Sequence, residues 1–292
     1  MINFKHSTRD NSTIHVLLML LAICFLATGG IFVKMSELPP INTAFYRVLF
    51  SLPFLLPFTF NKITKVSKKE FFVILLAGVF LALDLALWNM SFQYTTVANA
   101  NLLANLTPFT VIPIAYFIFK EKIPKLFFIG TAITIIGVIV LLSGKIHPSM
   151  DNFKGDALSL LTSIFYAGFI VSVYKLRDGV GSNVIMTISA FGSLAVLAII
   201  AYIVEGFYFP CTIKELLPLI GLALVSQIFG QGLLSFCLGK VNVSLSSVVT
   251  LTQPAIAAIY SFIIFSEILS LVEIAGIFIV LTGVYLAKEN GK

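Results

Sequence analysis

Shifted by 146 residues, the second half of this chain lies over the first, with no gap across the last two apolar runs of each half. Pro108 falls on Pro254, Phe119 on Phe265, Glu121 on Glu267, Gly130 on Gly276 and Gly137 on Gly283. The matched positions occupy the last two of five apolar runs in each half, so an odd number of crossings separates the two copies. A unit repeated after five crossings stands upside down relative to the first.

The runs have the length of membrane spans. A hydrocarbon core of ~30 Å needs about 20 apolar residues per helix. Ten such segments read as Ile14 to Val33, Asn42 to Phe60, Phe71 to Phe92, Thr96 to Phe119, Leu126 to Ser143, Ala157 to Tyr174, Asn183 to Val204, Leu216 to Leu238, Val241 to Phe265 and Leu271 to Ala287. With 59% hydrophobic and 11% charged residues and a mean hydropathy of +1.03, the chain is too apolar for a soluble domain. The expected fold is an all-α integral membrane protein of ten transmembrane helices. They form two inverted five-helix repeats, residues 1–144 and 145–292, around a central cavity. The first run ends in Ala27-Thr28-Gly29-Gly30 like a signal peptide, but an h-region is about 7–15 residues long. The repeat also needs this run as partner to Ala157 to Tyr174, so it reads as a retained helix.

Charge sets the orientation. With the N-terminus in the cytoplasm, 14 Lys and Arg fall on the cytoplasmic side against 4 outside, with Arg47 inside a helix. Positive residues favour the cytoplasmic side, so both termini are expected inside, in a multi-pass protein of the plasma (inner) membrane. That bias also explains the pI near 9.2 without a nucleic-acid partner. Cys24, Cys211 and Cys237 form no even framework, and His6, His15 and His147 are scattered, so no metal site or cofactor is expected. No GxxxxGK[ST] phosphate loop, HExxH, CxxC or GxSxG occurs, which argues against an ATP-driven pump or an enzyme.

Ionised groups at the bilayer centre cost about 2.5–3.5 kcal/mol on insertion scales and normally face a bundle interior or cavity. Asp84 is the only acid well inside a run and Arg47 the only deep base. At 1.5 Å per residue they lie roughly 12 Å and 8 Å below the outer ends of their helices. Either they form a structural pair, or Asp84 is a proton- or cation-coupling carboxylate. An Arg this near a helix end is expected to snorkel outward. Asn101 and Asn105 share one face just before Pro108, which frees a carbonyl near Ala104 and suits a substrate site. Trp88, one turn beyond Asp84, reads as an interfacial-belt residue, with a pocket wall as the alternative. Gln227, Gln231 and Ser235 form one polar stripe, and Ser246 and Thr250 share a face with Gln253 near it. Tyr166 is a further candidate for the cavity wall. Glu121 and Glu267 are expected to satisfy backbone donors at the start of the following helix. Gly130, Gly137, Gly276 and Gly283 are expected to allow close helix packing.

Leu103-Ala104-Asn105-Leu106-Thr107-Pro108, then Phe119-Lys120-Glu121-Lys122, then Gly130 and Gly137 resemble the drug/metabolite transporter superfamily, in its ten-helix EamA-type branch. Leu251-Thr252-Gln253-Pro254, Ser266-Glu267, Gly276 and Gly283 repeat the pattern. The resemblance implies a central cavity lined by the first, third and fourth helices of each half, with the fifth and tenth outside. It also implies transport of metabolites. Inverted repeats themselves are the architecture of secondary transporters, with the site at the midplane between the copies. The expected function is therefore secondary transport, as an exporter, of small polar metabolites such as amino acids, by alternating access, either with proton coupling through Asp84 or by uncoupled facilitated diffusion. The competing readings are a flippase for a lipid-linked or amphipathic substrate and, with least support, a membrane enzyme or sensor. The expected partners are a small-molecule substrate, membrane lipid and protons, and the sequence leaves the oligomeric state open. The halves differ where chemistry is expected: Asp84, Asn101 and Asn105 fall opposite Gly230, Ser247 and Leu251.

The orientation is checked by proteolysis of a C-terminal tag. The tag should be cleaved in sealed inside-out vesicles and protected in spheroplasts; the reverse pattern would overturn the assigned orientation.

Overall fold

A backbone in hydrocarbon has no water to bond, so each apolar run must close its N–H and C=O groups within itself as a helix. The structure, a computed structural model, describes residues 12–59, 62, 66–144, 152–265 and 269–289. Among these, ten helices are long and apolar enough to cross a membrane. They are α1 Thr13–Met35, α2 Pro40–Phe58, α3 Lys68–Ser91, α4 Asn99–Phe117, α5 Lys125–Leu142, α6 Phe153–Leu176, α7 Ser182–Val204, α8 Ile213–Cys237, α9 Val243–Ile264 and α10 Leu271–Lys288. Large apolar side chains such as Phe72, Ile203 and Phe278 point out of the bundle. Glu267 lies outside the described residues.

Helix starts are finished by side chains. Ser67 and Glu70 exchange bonds at the start of α3, and Thr212 and Glu215 do so at α8. Ser270 and Glu273 do the same at α10, where Ser270 N donates to Glu273 Oε2 at 2.8 Å and Glu273 N to Ser270 Oγ at 3.2 Å. Each pair satisfies first-turn donors that have no partner within the helix. The proline-led α2 takes its cap from the other half. Glu205, just past α7, accepts from the backbone N–H of Ile41 at 2.9 Å and of Asn42 at 3.0 Å, and from Asn42 Nδ2 at 2.9 Å. At the far end of α2, the hydroxyls of Thr59 and Thr187 lie 3.2 Å apart. The 146-residue shift carries Thr59 onto Glu205 and Ile41 onto Thr187, so these two contacts join the same pair of positions with the halves exchanged.

Two helices are interrupted at matching places. The first part of α4 ends at Ala104, and the helix resumes at Pro108. Proline supplies no N–H, and the Ala104 carbonyl instead accepts from Thr107 Oγ1 at 3.1 Å. In α9 the turn at Leu251 and Thr252 precedes Gln253-Pro254. A third irregularity has no counterpart: Leu222–Gln231 of α8 is wound as a π-helix, a form enriched at functional sites.

Small residues let the helices approach. Gly78 of α3 sits on the α7 backbone at Ser189, and Ser193 Oγ donates to the Gly78 carbonyl at 2.7 Å. At the edge of the bundle α5 and α10 pack on each other. Gly130 lies against the backbone of Gly283 and Ala287, Gly137 against Val280, and Gly276 against Leu141. Positions rise along α5 as they fall along α10, so the two helices run antiparallel. Substituting Gly130 by Leu would push its side chain into the α10 backbone and should destabilise by about 1–3 kcal/mol. The control is Gly144→Leu, where open space surrounds the glycine. Thermal unfolding in detergent should separate the two variants, and equal midpoints would contradict this packing.

Candidate functional site

Seven helices converge on one cavity. Its wall holds Leu26 of α1, Arg47 of α2, Asp84, Leu85 and Trp88 of α3, and Asn101, Ala104, Asn105 and Thr107 of α4. Thr162 and Tyr166 of α6, Gln231 of α8 and Gln253 of α9 complete it. The empty space is about 580 Å³, part of it open to solvent. Both halves contribute; α5, α7 and α10 do not.

The interrupted helix explains the asparagines. Asn105 Nδ2 donates to the Asn101 carbonyl at 2.7 Å, closing the broken turn of α4. The Asn101 side-chain amide has no hydrogen-bond partner among the described residues and stands in the cavity wall. Tyr166 stacks on Phe169 with ring centroids 6.2 Å apart and planes 11° apart, which fixes the direction of its hydroxyl. Trp88 packs edge-on against Phe92 at 4.9 Å. It stands in the cavity wall, its ring tip 4.0 Å from where a Cβ on Gly30 of α1 would lie.

Arg47 departs from expectation. It does not snorkel: it is 5% exposed, and its Nε donates to Gln227 Oε1 at 2.9 Å, inside the bundle. A buried acceptor 180 residues away holds the side chain in place of water. Nor does it form an ion pair with Asp84, although the two charges act on each other across the cavity and both act on Tyr166. Asp84 is 8% exposed and has no hydrogen-bond partner among the described residues. Gln231 Nε2 is likewise buried with no partner within hydrogen-bond distance, its side chain lying beside the Tyr166 hydroxyl, and Ser226 Oγ and Ser235 Oγ on the same helix are unpaired. Leaving one such group unpaired costs about 1–3 kcal/mol, more when it is charged. Of these groups, Asp84 and Gln231 stand in the cavity wall.

Gln227 is absent from the wall and serves instead to hold Arg47. Ser246 and Thr250 do not reach the cavity. Their hydroxyls donate to their own helix, at 2.8 Å to the Asn242 carbonyl and 2.6 Å to that of Ser247. The wall residues that sequence reasoning missed differ in how visible they were. Thr162 lies one turn before Tyr166 on the same face, and Thr107 belongs to the Pro108 break. Leu26 and Leu85 carry no polar signal.

Glu121 also corrects a reading. It does not serve the helix that follows it but the start of α9 in the other half. Its Oε1 accepts from Val243 N at 3.0 Å and from the Tyr174 hydroxyl at 2.9 Å, and its Oε2 from Ser244 Oγ at 2.6 Å. A carboxylate suits the partly positive end of a helix. This tie joins the α4–α5 loop to α9 and to the end of α6.

The EamA-like transporter family matches residues 13–143 and again residues 153–288. An uncharacterized transporter of Archaeoglobus fulgidus is 27% identical over 300 residues, covering 96% of this chain and 99% of its own. The pseudopaline exporter CntI of Pseudomonas aeruginosa is 23% identical over 226 residues, covering 77% of this chain and 78% of its own. A solved crystal structure superposes with a TM-score of 0.80 at 14% identity, over 94% of this chain and 97% of that one; this is a likeness of fold alone.

Removing the Glu121 carboxylate leaves several donors without their acceptor. Glu121→Ala should destabilise by roughly 2 kcal/mol, and Tyr174→Phe, which removes one neutral donor, by roughly 1 kcal/mol. Thermal unfolding in detergent measures both, and an unchanged midpoint for Glu121→Ala would contradict the tie.

Proposed function

Because this chain belongs to the EamA-like transporter family, whose members are transporters and not enzymes, we propose that it exports a small polar metabolite across the inner membrane by alternating access. Amino acids and related compounds are the class that fits best. The protein is a multi-pass integral membrane protein that acts on a small molecule; the finer terms rest on the site. The observation that carries them is a cavity between the two halves, walled by Asp84, Arg47, Asn101, Gln231 and Gln253, whose polar groups largely lack protein partners. A small solute with charged and hydrogen-bonding groups suits such a wall better than an acyl chain does. The direction, export, is supported by the relative named as an exporter.

In the proposed cycle residues 1–144 and 145–292 act as two inverted units that rock about the central site. The exchanged contacts, Glu205 with Ile41 and Thr59 with Thr187, fit halves that trade places. With both termini cytoplasmic, the Glu121 tie lies at the inner end, so it must open when the cavity faces the cytoplasm. Asp84 is proposed to carry the coupling proton. A carboxylate in the cavity wall without a protein partner can release its proton to one side and be reprotonated from the other as access alternates.

Purified protein in liposomes tests this reading. A screen of labelled amino acids and related metabolites should find a solute that undergoes counterflow, and an interior-acid gradient should drive its uptake as protons leave. Asp84→Asn should retain counterflow but lose the response to the gradient. Gradient-driven uptake that survives Asp84→Asn would remove Asp84 from the coupling role. Failure of every solute to move would sink transport of this class.

A further inference from the structure

Which chemical group of the solute the cavity grips is decided by Arg47. Gln227 takes its Nε at 2.9 Å and so fixes the plane of the guanidinium. The two terminal nitrogens have no hydrogen-bond partner among the described residues, on a side chain 5% exposed in the cavity wall. Asp84 shares that wall but does not pair with them. A buried guanidinium with two unused donors is costly, since removing a charge from water is recovered only through partners. The neighbouring wall adds more donors. Gln231 Nε2 is buried with no acceptor within hydrogen-bond distance; its side chain lies beside the Tyr166 hydroxyl, and both residues stand in the same wall. An orphaned amide nitrogen calls for an acceptor, and so does the free fork of an arginine.

We propose that Arg47 and Gln231 form a carboxylate subsite within the transport cavity, with Gln227 as the positioning residue. This rests on the transporter reading above. The solute's carboxylate lies in the plane of the guanidinium and accepts from both terminal nitrogens, the geometry in which arginine binds carboxylates most strongly. Gln231 Nε2 supplies a further donor. Gln227 touches no solute; it holds the fork in the orientation that receives one.

Trp88, the single tryptophan, stands in the same wall and reports occupancy by its fluorescence. Full-length protein in lipid nanodiscs is titrated with a panel of free acids, comprising the amino acids other than tryptophan and the monocarboxylates from acetate to hexanoate. Matched carboxamides, inorganic phosphate and chloride are titrated alongside. At least one acid should change the Trp88 signal saturably, with its amide about tenfold weaker or worse, the preference that one charge-assisted bidentate contact supports. Arg47→Gln should erase the preference of acid over amide. Gln227→Leu, which keeps the charge, should weaken the acid several-fold and leave the amide unchanged, a split that a general loss of packing would not produce. Should Arg47→Gln fail to fold, Gln227→Leu carries the same comparison.

The subsite is overturned if no acid moves the signal, if acids and amides bind alike, if phosphate or chloride outcompetes every acid, or if Gln227→Leu weakens acid and amide equally. The two readings fail separately. Transport of a solute that lacks a carboxylate would remove the subsite and leave the transporter, whereas acids that bind but never cross would do the reverse.

Discussion

In the hydrocarbon of a bilayer, a polar side chain without a protein partner has no solvent to fall back on. Through most of this bundle the chain respects that limit by local means. Thr131, Thr134, Ser246 and Thr250 return their hydroxyls to carbonyls of their own helices. Asn89 reaches across to the carbonyl of Pro40 at 2.9 Å, and Ser193 to that of Gly78 at 2.7 Å. Asn89 Oδ1 is itself left unpaired, and further departures stand at or near the cavity. Asp84, the terminal nitrogens of Arg47 and Gln231 Nε2 all stand at the cavity, and two more unpaired hydroxyls lie on α8 nearby.

The same constraint shapes the scaffold that holds them. A helix interrupted in lipid must find new partners for its backbone, so a break is tolerated only where it lines a cavity or is buried in protein. The breaks at Pro108 and Pro254 are such places, and the first puts Asn101 and Asn105 into the wall. The outer framework is simpler: α5 and α10 meet through glycines, and capping carboxylates tie helix starts to the opposite half. Glu205 at α2 and Glu121 at α9 each bridge residues more than a hundred positions apart. Both are strong local bonds that a rocking motion must either preserve or release, so they set where rigid units end.

What the sequence displayed and what it hid divide along physical lines. Spans were visible because each must be about as long as the hydrocarbon is thick, and the break of α4 because proline lacks a donor. Asp84, Asn101 and Gln231 stood out because polar groups in apolar runs are costly wherever they point. Direction and pairing were hidden. The inward turn of Arg47 depends on Gln227, a partner in the other half, and the depth of Arg47 in its own helix suggested the opposite. Trp88 at a helix end fits belt and cavity equally until the other helices of the cavity wall are placed around it. Ser246 and Thr250 have the right polarity but spend it on their own backbone, which only the rotamer reveals. The π-helical winding of α8 left no mark in the residue pattern. Glu121 was legible as a cap, but the helix it caps depends on tertiary packing.

If the one cavity between the halves is the transport site, it meets the two sides of the membrane in turn. Ala104 lines it with a bare methyl group, so a cysteine there, with Cys24, Cys211 and Cys237 replaced, reports access. Sealed vesicles of each orientation are treated with a membrane-impermeant thiol reagent, with and without transported solute on the opposite side. The account predicts labelling from either face, with solute on one side shifting the rate at the other. Labelling from one face only, whatever the solute, would contradict it, and so would equal labelling from both faces that solute leaves unchanged.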